Sequence, residues 1–420
     1  MNVFSTLWGS VTRGTLNGAV SVALTLTALS VQAADDATIK RGEYLARAAD
    51  CVACHLDENG GKPYAGGRGF KLPFGMLYSP NITPDNETGI GTWSDDDFVN
   101  AMQKGVGKDG KHYYPAFPYT SYTLMSRDDI LAIKAYLFSL PPVKQPNKEN
   151  DISFPFNQRW GMMFWNFLFN PNERFQPDPS QSAEWNRGAY LVEGAGHCGE
   201  CHTPRNLFQA RDSSRNLGGA VIQGWKAYNI SGDKATGIGA WPDEALASYL
   251  STGHAEGYGV AAGPMAEAVN HSLRHLTPED IRAMVVYLKS VPAQTYGLAR
   301  PEPKMLSPEP PAKGNNPLGQ KTFADACVSC HLWDGTGRQS TFAALKGLRT
   351  VNDPEATNLV QVLLGGGKLE NPHGDHFMPG FARAYSDQEL AAVTNFVLDH
   401  FGHAKGMITA EEIAKRRNPE

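Results

Sequence analysis

Cys51-Val52-Ala53-Cys54-His55, Cys198-Gly199-Glu200-Cys201-His202 and Cys327-Val328-Ser329-Cys330-His331 are three copies of one pattern, C-x-x-C-H. They hold all six cysteines of the 420-residue chain. Two thiols three positions apart can each add to a vinyl group of one haem, and the adjoining histidine is then delivered to the iron as an axial ligand. No cysteine is left for a structural disulfide or a separate metal site. C-x-x-C also serves zinc sites and redox dithiols, but zinc takes four ligands and usually two such pairs close together. Here the pairs stand 147 and 129 residues apart and are odd in number. A redox dithiol has no use for a histidine three times over. The pattern predicts three covalent haem c groups, His55, His202 and His331 as iron ligands, and a chain that moves electrons.

Residues 1–33 read as a secretory signal peptide. Arg13 is the only charge before Asp35, an apolar stretch covers 19–29, and Val31-Gln32-Ala33 fits the small-residue cleavage rule. About a dozen apolar residues are short for a membrane span of ~20. Haem attachment of this kind takes place outside the cytoplasm in bacteria, so the expected location is periplasmic, on the outer face of the cytoplasmic membrane. The formal net charge of −5 offers no basic footprint, which excludes a nucleic-acid partner. The 43 Gly and 28 Pro are many for a helical protein. They suit a mainly α, loop-rich fold of three tandem domains, each wrapped around a haem that supplies the apolar contact a small domain lacks.

Internal similarity supports three units. Arg41-Gly42-Glu43-Tyr44-Leu45 and Arg187-Gly188-Ala189-Tyr190-Leu191 precede the first two motifs, and Gly319-Gln320-Lys321-Thr322-Phe323 has the same shape before the third. Asn81-Ile82 and Asn229-Ile230 each lead into Thr-Gly-Ile-Gly, then Trp93 and Asp95, or Trp241 and Asp243, at a constant offset of 148. Each unit closes with an amphipathic helix, expected over 128–139, 278–290 and 387–401 and capped by Ser126, Thr277 and Ser386. The expected domains are 35–143, 183–295 and 313–405. A spacer at 296–312 holds five prolines, and 406–420 is left as a tail. The linker at 144–182 contains the aromatic run 160–169, too short to span a bilayer. Packing between domains is its expected role, with a partner or a membrane surface as alternatives.

The second axial ligand separates an electron carrier from an open, reactive iron, and a methionine thioether there raises the potential. Met378 precedes Pro379 on a loop ahead of Ser386, with His373 and His376 as rivals. Met265 follows Gly263-Pro264, with His254, His271 and His275 as other candidates, while Met284 falls inside the closing helix. In the first unit the corresponding place reads Pro115-Ala116-Phe117-Pro118-Tyr119. Met125 is the nearest methionine and the expected ligand; Met102, His112 or an open iron are the alternatives. Asn81, Asn229, Trp93 and Trp241 either line haem pockets or only pack.

These features resemble the three-haem cytochrome c subunits of bacterial membrane-associated dehydrogenases, which serve alcohol, gluconate, sorbitol or fructose, and aldehyde oxidation. The resemblance rests on 41–45, Asn81-Ile82-Thr83-Pro84-Asp85 and Tyr114-Pro115-Ala116-Phe117-Pro118-Tyr119. Gly196-His197-Cys198, Cys201-His202-Thr203-Pro204-Arg205-Asn206 and Met378-Pro379-Gly380-Phe381 extend it over nearly the whole mature chain. One departure stands out: many members carry methionine where this chain has Phe117. The resemblance implies a partner dehydrogenase subunit with a flavin, quinone or molybdenum cofactor. Ubiquinone or a terminal oxidase would be the acceptor, and membrane association would be peripheral. No dinucleotide fingerprint, P-loop or nucleophile constellation marks a substrate-oxidising site in this chain. A free periplasmic shuttle, or a haem enzyme with an open iron in the first unit, is the other reading.

Overall fold

The structure is a computed structural model in which residues 36–57, 59–300, 302–370 and 374–417 are described. The expected signal peptide and His373 lie outside these residues.

Each unit is built on a crossing of two helices. The first of each pair covers 36–48, Ala183–Ala189 (continued by a wider π-helical turn, Tyr190–Ala195) and Pro317–Ala326. The second is the closing helix, Arg127–Ser139, Pro278–Ser290 or Asp387–Phe401. Ser126, Thr277 and Ser386 cap these closing helices by accepting from the backbone N–H of Asp129, Asp280 and Glu389. A capping side chain satisfies one of the donors that a helix start leaves orphaned. Gly42, Gly188 and Gly319 occupy the crossing points. A Cβ there would come within 1.8 Å of the Ala132 carbonyl oxygen, 1.9 Å of that of Ala283 and 2.2 Å of that of Ala392. Only a residue without a side chain lets these backbones approach so closely.

The fold is mainly α, with short antiparallel hairpins. Gly69–Leu72 pairs with Gly75–Tyr78, and Asp151–Ile152 from the linker adds a third strand. Ala220–Ile222 pairs with Trp225–Ala227, His254–Ala255 with Gly259–Val260, and Gly367–Leu369 with His376–Met378.

The first two units share one apolar core, in which Leu45, Met125 and Ile133 belong to the same cluster as Leu191, Val285 and Leu288. The third unit has its own, around Phe323, Phe396, Leu398 and Ile413. At the junction of the first two units, side chains are exchanged reciprocally. Asp129 accepts from Arg41 of its own unit and from the Tyr190 hydroxyl of the other, both at 2.5 Å. Asp280 accepts from Arg187 of its own unit at 2.6 Å and from the Tyr44 hydroxyl of the other at 2.5 Å. This self-complementary pattern is that of a two-fold dimer, here formed by duplicated halves of one chain. The third unit has Leu318 and Lys321 at the equivalent places and takes no part. It is tied to the second instead by Lys226 with Asp353 (3.1 Å) and by Arg274 with Glu370 (2.8 Å).

Two segments add to the expectation. The aromatic run forms the helix Gly161–Phe169, one side of which touches both of the first two units, Trp165 Nε1 donating to the Phe208 carbonyl of the second at 2.8 Å. Trp165 meets the edge of Tyr119, and the Asn166 side-chain amide donates to the Lys104 carbonyl at 2.5 Å. The other side faces outward and is not covered by another unit. Residues 406–420, expected as a tail, contain the helix Ala410–Arg417. It docks on the third unit through fully buried Ile413 and the Arg417–Asp387 pair at 2.7 Å. A reciprocal Thr409–Glu412 capping box starts it. Among the described residues, no helix is long and apolar enough to cross a membrane.

Candidate haem sites

In all three motifs the histidine ring is held in the same way. Nδ1 of His55 lies 2.7 Å from the Pro80 carbonyl, Nδ1 of His202 lies 2.7 Å from that of Tyr228, and Nδ1 of His331 lies 2.6 Å from that of Ala343. A carbonyl oxygen only accepts, so each Nδ1 carries the proton and each Nε2 keeps its lone pair free for a metal. Desolvation lowers all three rings, His55 to about 4, against the opposing pull of the carbonyl, which favours the neutral imidazole that ligation needs.

The thiols behave in the opposite sense to a redox pair. Burial pushes Cys51, Cys54 and Cys198 up to about 12, and Cys201 and Cys327 up to about 11. Reactive dithiols have lowered values. Nor, among the described residues, do three or more His, Cys, Asp or Glu side chains gather as a zinc site requires.

A cavity of about 1700 Å³ runs past all three motifs. Cys54 of the first, Cys198, Cys201 and His202 of the second, and Cys327, Cys330 and His331 of the third stand on its wall. Cys201 is among the groups that raise Cys54, so the first two motifs are neighbours. Leu250, Leu288, Phe323 and Val397 give the wall its apolar surface. Nε1 of Trp241 and Nε of Arg349, also wall residues, are buried with no hydrogen-bond partner. Buried donors are costly when unsatisfied, and two on wall residues suit a ligand with an acidic edge; Oδ1 of Asp50, on another wall residue, is an orphaned acceptor. A porphyrin, flat and apolar with two propionates, fits this lining.

The sequence-selected methionines are placed differently from one another. Met265 and Met378 line the cavity. Met265 lies in the first turn of the helix Pro264–His271 rather than on a loop. Met378 ends the strand His376–Met378, paired with Gly367, also not on a loop. Met125 is fully buried in the shared core, its carbonyl accepting from the Gln103 side chain at 2.9 Å, and it is not among the cavity-wall residues. Phe117 packs edge-on against Tyr122 at 5.6 Å and against Tyr113 at 5.9 Å. His254 and His376 stack on the two faces of Phe342, at 4.1 and 3.6 Å.

Asn81 and Asn229 have a role that was only half legible in their repetition. Asn81 accepts from the Thr83 backbone N–H at 2.9 Å and donates to the Val143 carbonyl at 2.7 Å. Asn229 accepts from the Ser231 backbone N–H at 2.9 Å and donates to the Gln294 carbonyl. Each follows directly the residue whose carbonyl holds the motif histidine, Pro80 or Tyr228. They brace that carbonyl's loop against the chain leaving the closing helix. Trp93 only packs on the first core. Arg68 drew no attention in the sequence; it donates to the Ala53 carbonyl inside the first motif at 2.7 Å and pairs with Glu267 of the second unit at 2.8 Å. A lone arginine 13 residues beyond a motif carries no local signal.

Comparison with known proteins gives the family. The sequence profile of the cytochrome c family matches residues 39–141 and 317–400. The gluconate 2-dehydrogenase cytochrome c subunit of Pantoea cypripedii is 39% identical, over 94% of this chain and 93% of its own length. The cytochrome c subunit of alcohol dehydrogenase (quinone) from Gluconobacter oxydans is 39% identical, over 94% of this chain and 85% of its own. The fructose dehydrogenase cytochrome subunit of Gluconobacter japonicus is 35% identical, over 90% and 82%.

Proposed function

Since the chain belongs to the cytochrome c family, as an electron-transfer subunit with covalent haem c, we propose that it carries three haems and relays electrons from a dehydrogenase subunit. The acceptor would be membrane ubiquinone or a terminal oxidase. The carrying observation is the threefold repetition of one histidine geometry, in three motifs that each place a cysteine on the wall of one cavity. Bound haem supplies reversible one-electron chemistry at iron.

The chain's residues do the rest. Cys51 with Cys54, Cys198 with Cys201 and Cys327 with Cys330 would tether the groups, and His55, His202 and His331 would present Nε2 to the irons. Met265 and Met378, on the cavity wall, would be the methionine ligands of the second and third motifs; Met125, the methionine expected for the first, stands in the shared core off that wall. Trp241 and Arg349 would hold acidic edges, and the apolar wall would exclude water, which favours transfer over side reactions. The partner's substrate chemistry would belong to its own flavin, quinone or molybdenum cofactor. The protein would work in the periplasm, peripheral to the cytoplasmic membrane.

Mass spectrometry and a pyridine haemochrome assay of the purified protein should report three covalent haems, and Cys→Ala changes in any one motif should remove one. A haem count below three in the intact chain overturns the three-site reading. Co-purification without any dehydrogenase subunit would favour a free shuttle.

A further inference from the structure

The helix Gly161–Phe169 presents a second apolar face to solvent. Trp160, Met163, Phe164, Phe167 and Leu168 follow the i, i+3, i+4, i+7, i+8 spacing of one helix side, and all five are exposed, Phe167 by 84%. No Asp, Glu, Lys, Arg or His occurs between 160 and 171. Two other exposed groups extend the patch. One is the tip of the 206–209 turn, where Leu207 is 97% exposed; the Phe208 ring contacts Phe169, and its carbonyl accepts from Trp165 Nε1 at 2.8 Å. The other is the 154–156 segment, where Phe156 stacks on Phe74 at 4.8 Å.

The patch is continuous with the cavity wall. Phe74, Tyr114 and Pro118 are wall residues, and the Tyr114 hydroxyl donates to the Phe156 carbonyl at 2.7 Å. The cations nearest the 206–209 turn point elsewhere: Arg205 and Arg211 are bound to buried Glu200. Arg159 lies over the Tyr114 ring at 4.5 Å and donates to the His112 carbonyl.

We infer that this face, 154–168 with Leu207 and Phe208, is the surface by which the protein lies on a lipid bilayer. It rests on the peripheral membrane association proposed above and says which side of the molecule meets the lipid. Protein interfaces combine their aromatic anchors with about one hydrogen bond per 100–200 Å². The outward stripe supplies no charged group. Side chains exposed by 78–97%, as at Phe154, Phe167 and Leu207, project as a convex ridge that a protein partner must match with a preformed groove. A bilayer closes around any shape. An interfacial helix buries its apolar face roughly 5–10 Å into the headgroup boundary, which suits a one-sided nine-residue helix.

The test uses the haem-loaded protein and vesicles of phosphatidylcholine alone, or mixed with phosphatidylglycerol, at low and high salt. Co-sedimentation with neutral vesicles that withstands salt is expected. Phe167→Asp/Leu168→Asp should lower the bound fraction roughly tenfold or more, since two exposed apolar anchors are lost. Leu207→Asp/Phe208→Asp, on a different segment, should act alike, and both variants should keep the haem spectrum. Binding unchanged in both variants overturns the inference, as does binding only to anionic vesicles at low salt. A wild type that ignores vesicles but forms dimers, or holds the dehydrogenase, through this face overturns it too. No electron donor or acceptor takes part, so failure here leaves electron transfer standing, and a missing haem would leave the vesicle result readable.

Discussion

Pro80 and Tyr228 contribute only a carbonyl oxygen each, and that oxygen decides which nitrogen of His55 or His202 is left free for a metal. Asn81 and Asn229 hold those carbonyls in place through buried hydrogen bonds. Asn81→Ala or Asn229→Ala should therefore cost about 1–3 kcal/mol of stability in chemical denaturation. Each should also shift the midpoint potential of its own haem, read by spectroelectrochemistry; a purely structural residue would leave the potential unmoved. The methionines give a second residue-scale expectation. Met265→His and Met378→His should each lower one haem's potential, because thioether ligation raises it. Met125→Ala should lower the first haem's potential and admit carbon monoxide to the reduced iron; an unchanged spectrum removes Met125 from the ligand set. The three C-x-x-C-H motifs were legible because their residues are adjacent in the chain. The partners of Trp241 and Arg349 were not, since a side chain facing a cavity looks no different in sequence from one facing the core.

At the scale of elements, the closing helices were readable almost to the residue, because apolar period and cap are written in consecutive positions. The Thr409–Glu412 capping box was equally local, and it signals the last helix, in what was expected to be a tail. The glycine of each opening helix was visible as a repeat, but its reason was not. Gly188→Ala places a methyl group against the Ala283 carbonyl, which must be displaced. Overpacking of this kind typically costs about 1–3 kcal/mol, so Gly188→Ala and Gly42→Ala should lower the melting temperature and the yield of haem-loaded protein. Ala in place of Gly161, where an added methyl group would meet nothing within 4 Å, is the control and should be neutral. The aromatic helix shows where local reading ends: its composition marked it as apolar on every side, but which side is covered depends on where Tyr119 and Lys104 sit.

Across the whole molecule, the reciprocal Tyr–Asp exchange makes the first two units one body. Asp280 reports on it. Burial raises its carboxyl, but the bonds from Arg187 and Tyr44 outweigh burial and hold it below the ordinary value. A carboxylate depressed in the folded state contributes stability above its unfolded value of about 3.9 and loses it as pH falls through the folded value. Acid should therefore loosen the junction of the first two units below about pH 4. Asp280→Asn should be less stable at neutral pH and show a shallower acid dependence. Thermal unfolding between pH 3 and pH 7 checks this, and equal slopes for the two proteins would contradict it.

The three C-x-x-C-H motifs, the duplication of the first two units, the closing helices and the electron-carrying class all follow from the amino-acid order, because each is written in short stretches of neighbouring residues. Four things needed the folded chain: the cavity that joins the motifs, the exchange between Tyr44 and Tyr190, the docked last helix and the uncovered aromatic face. Each depends on groups up to 236 residues apart, and their approach is settled by packing and the exclusion of water rather than by any local preference.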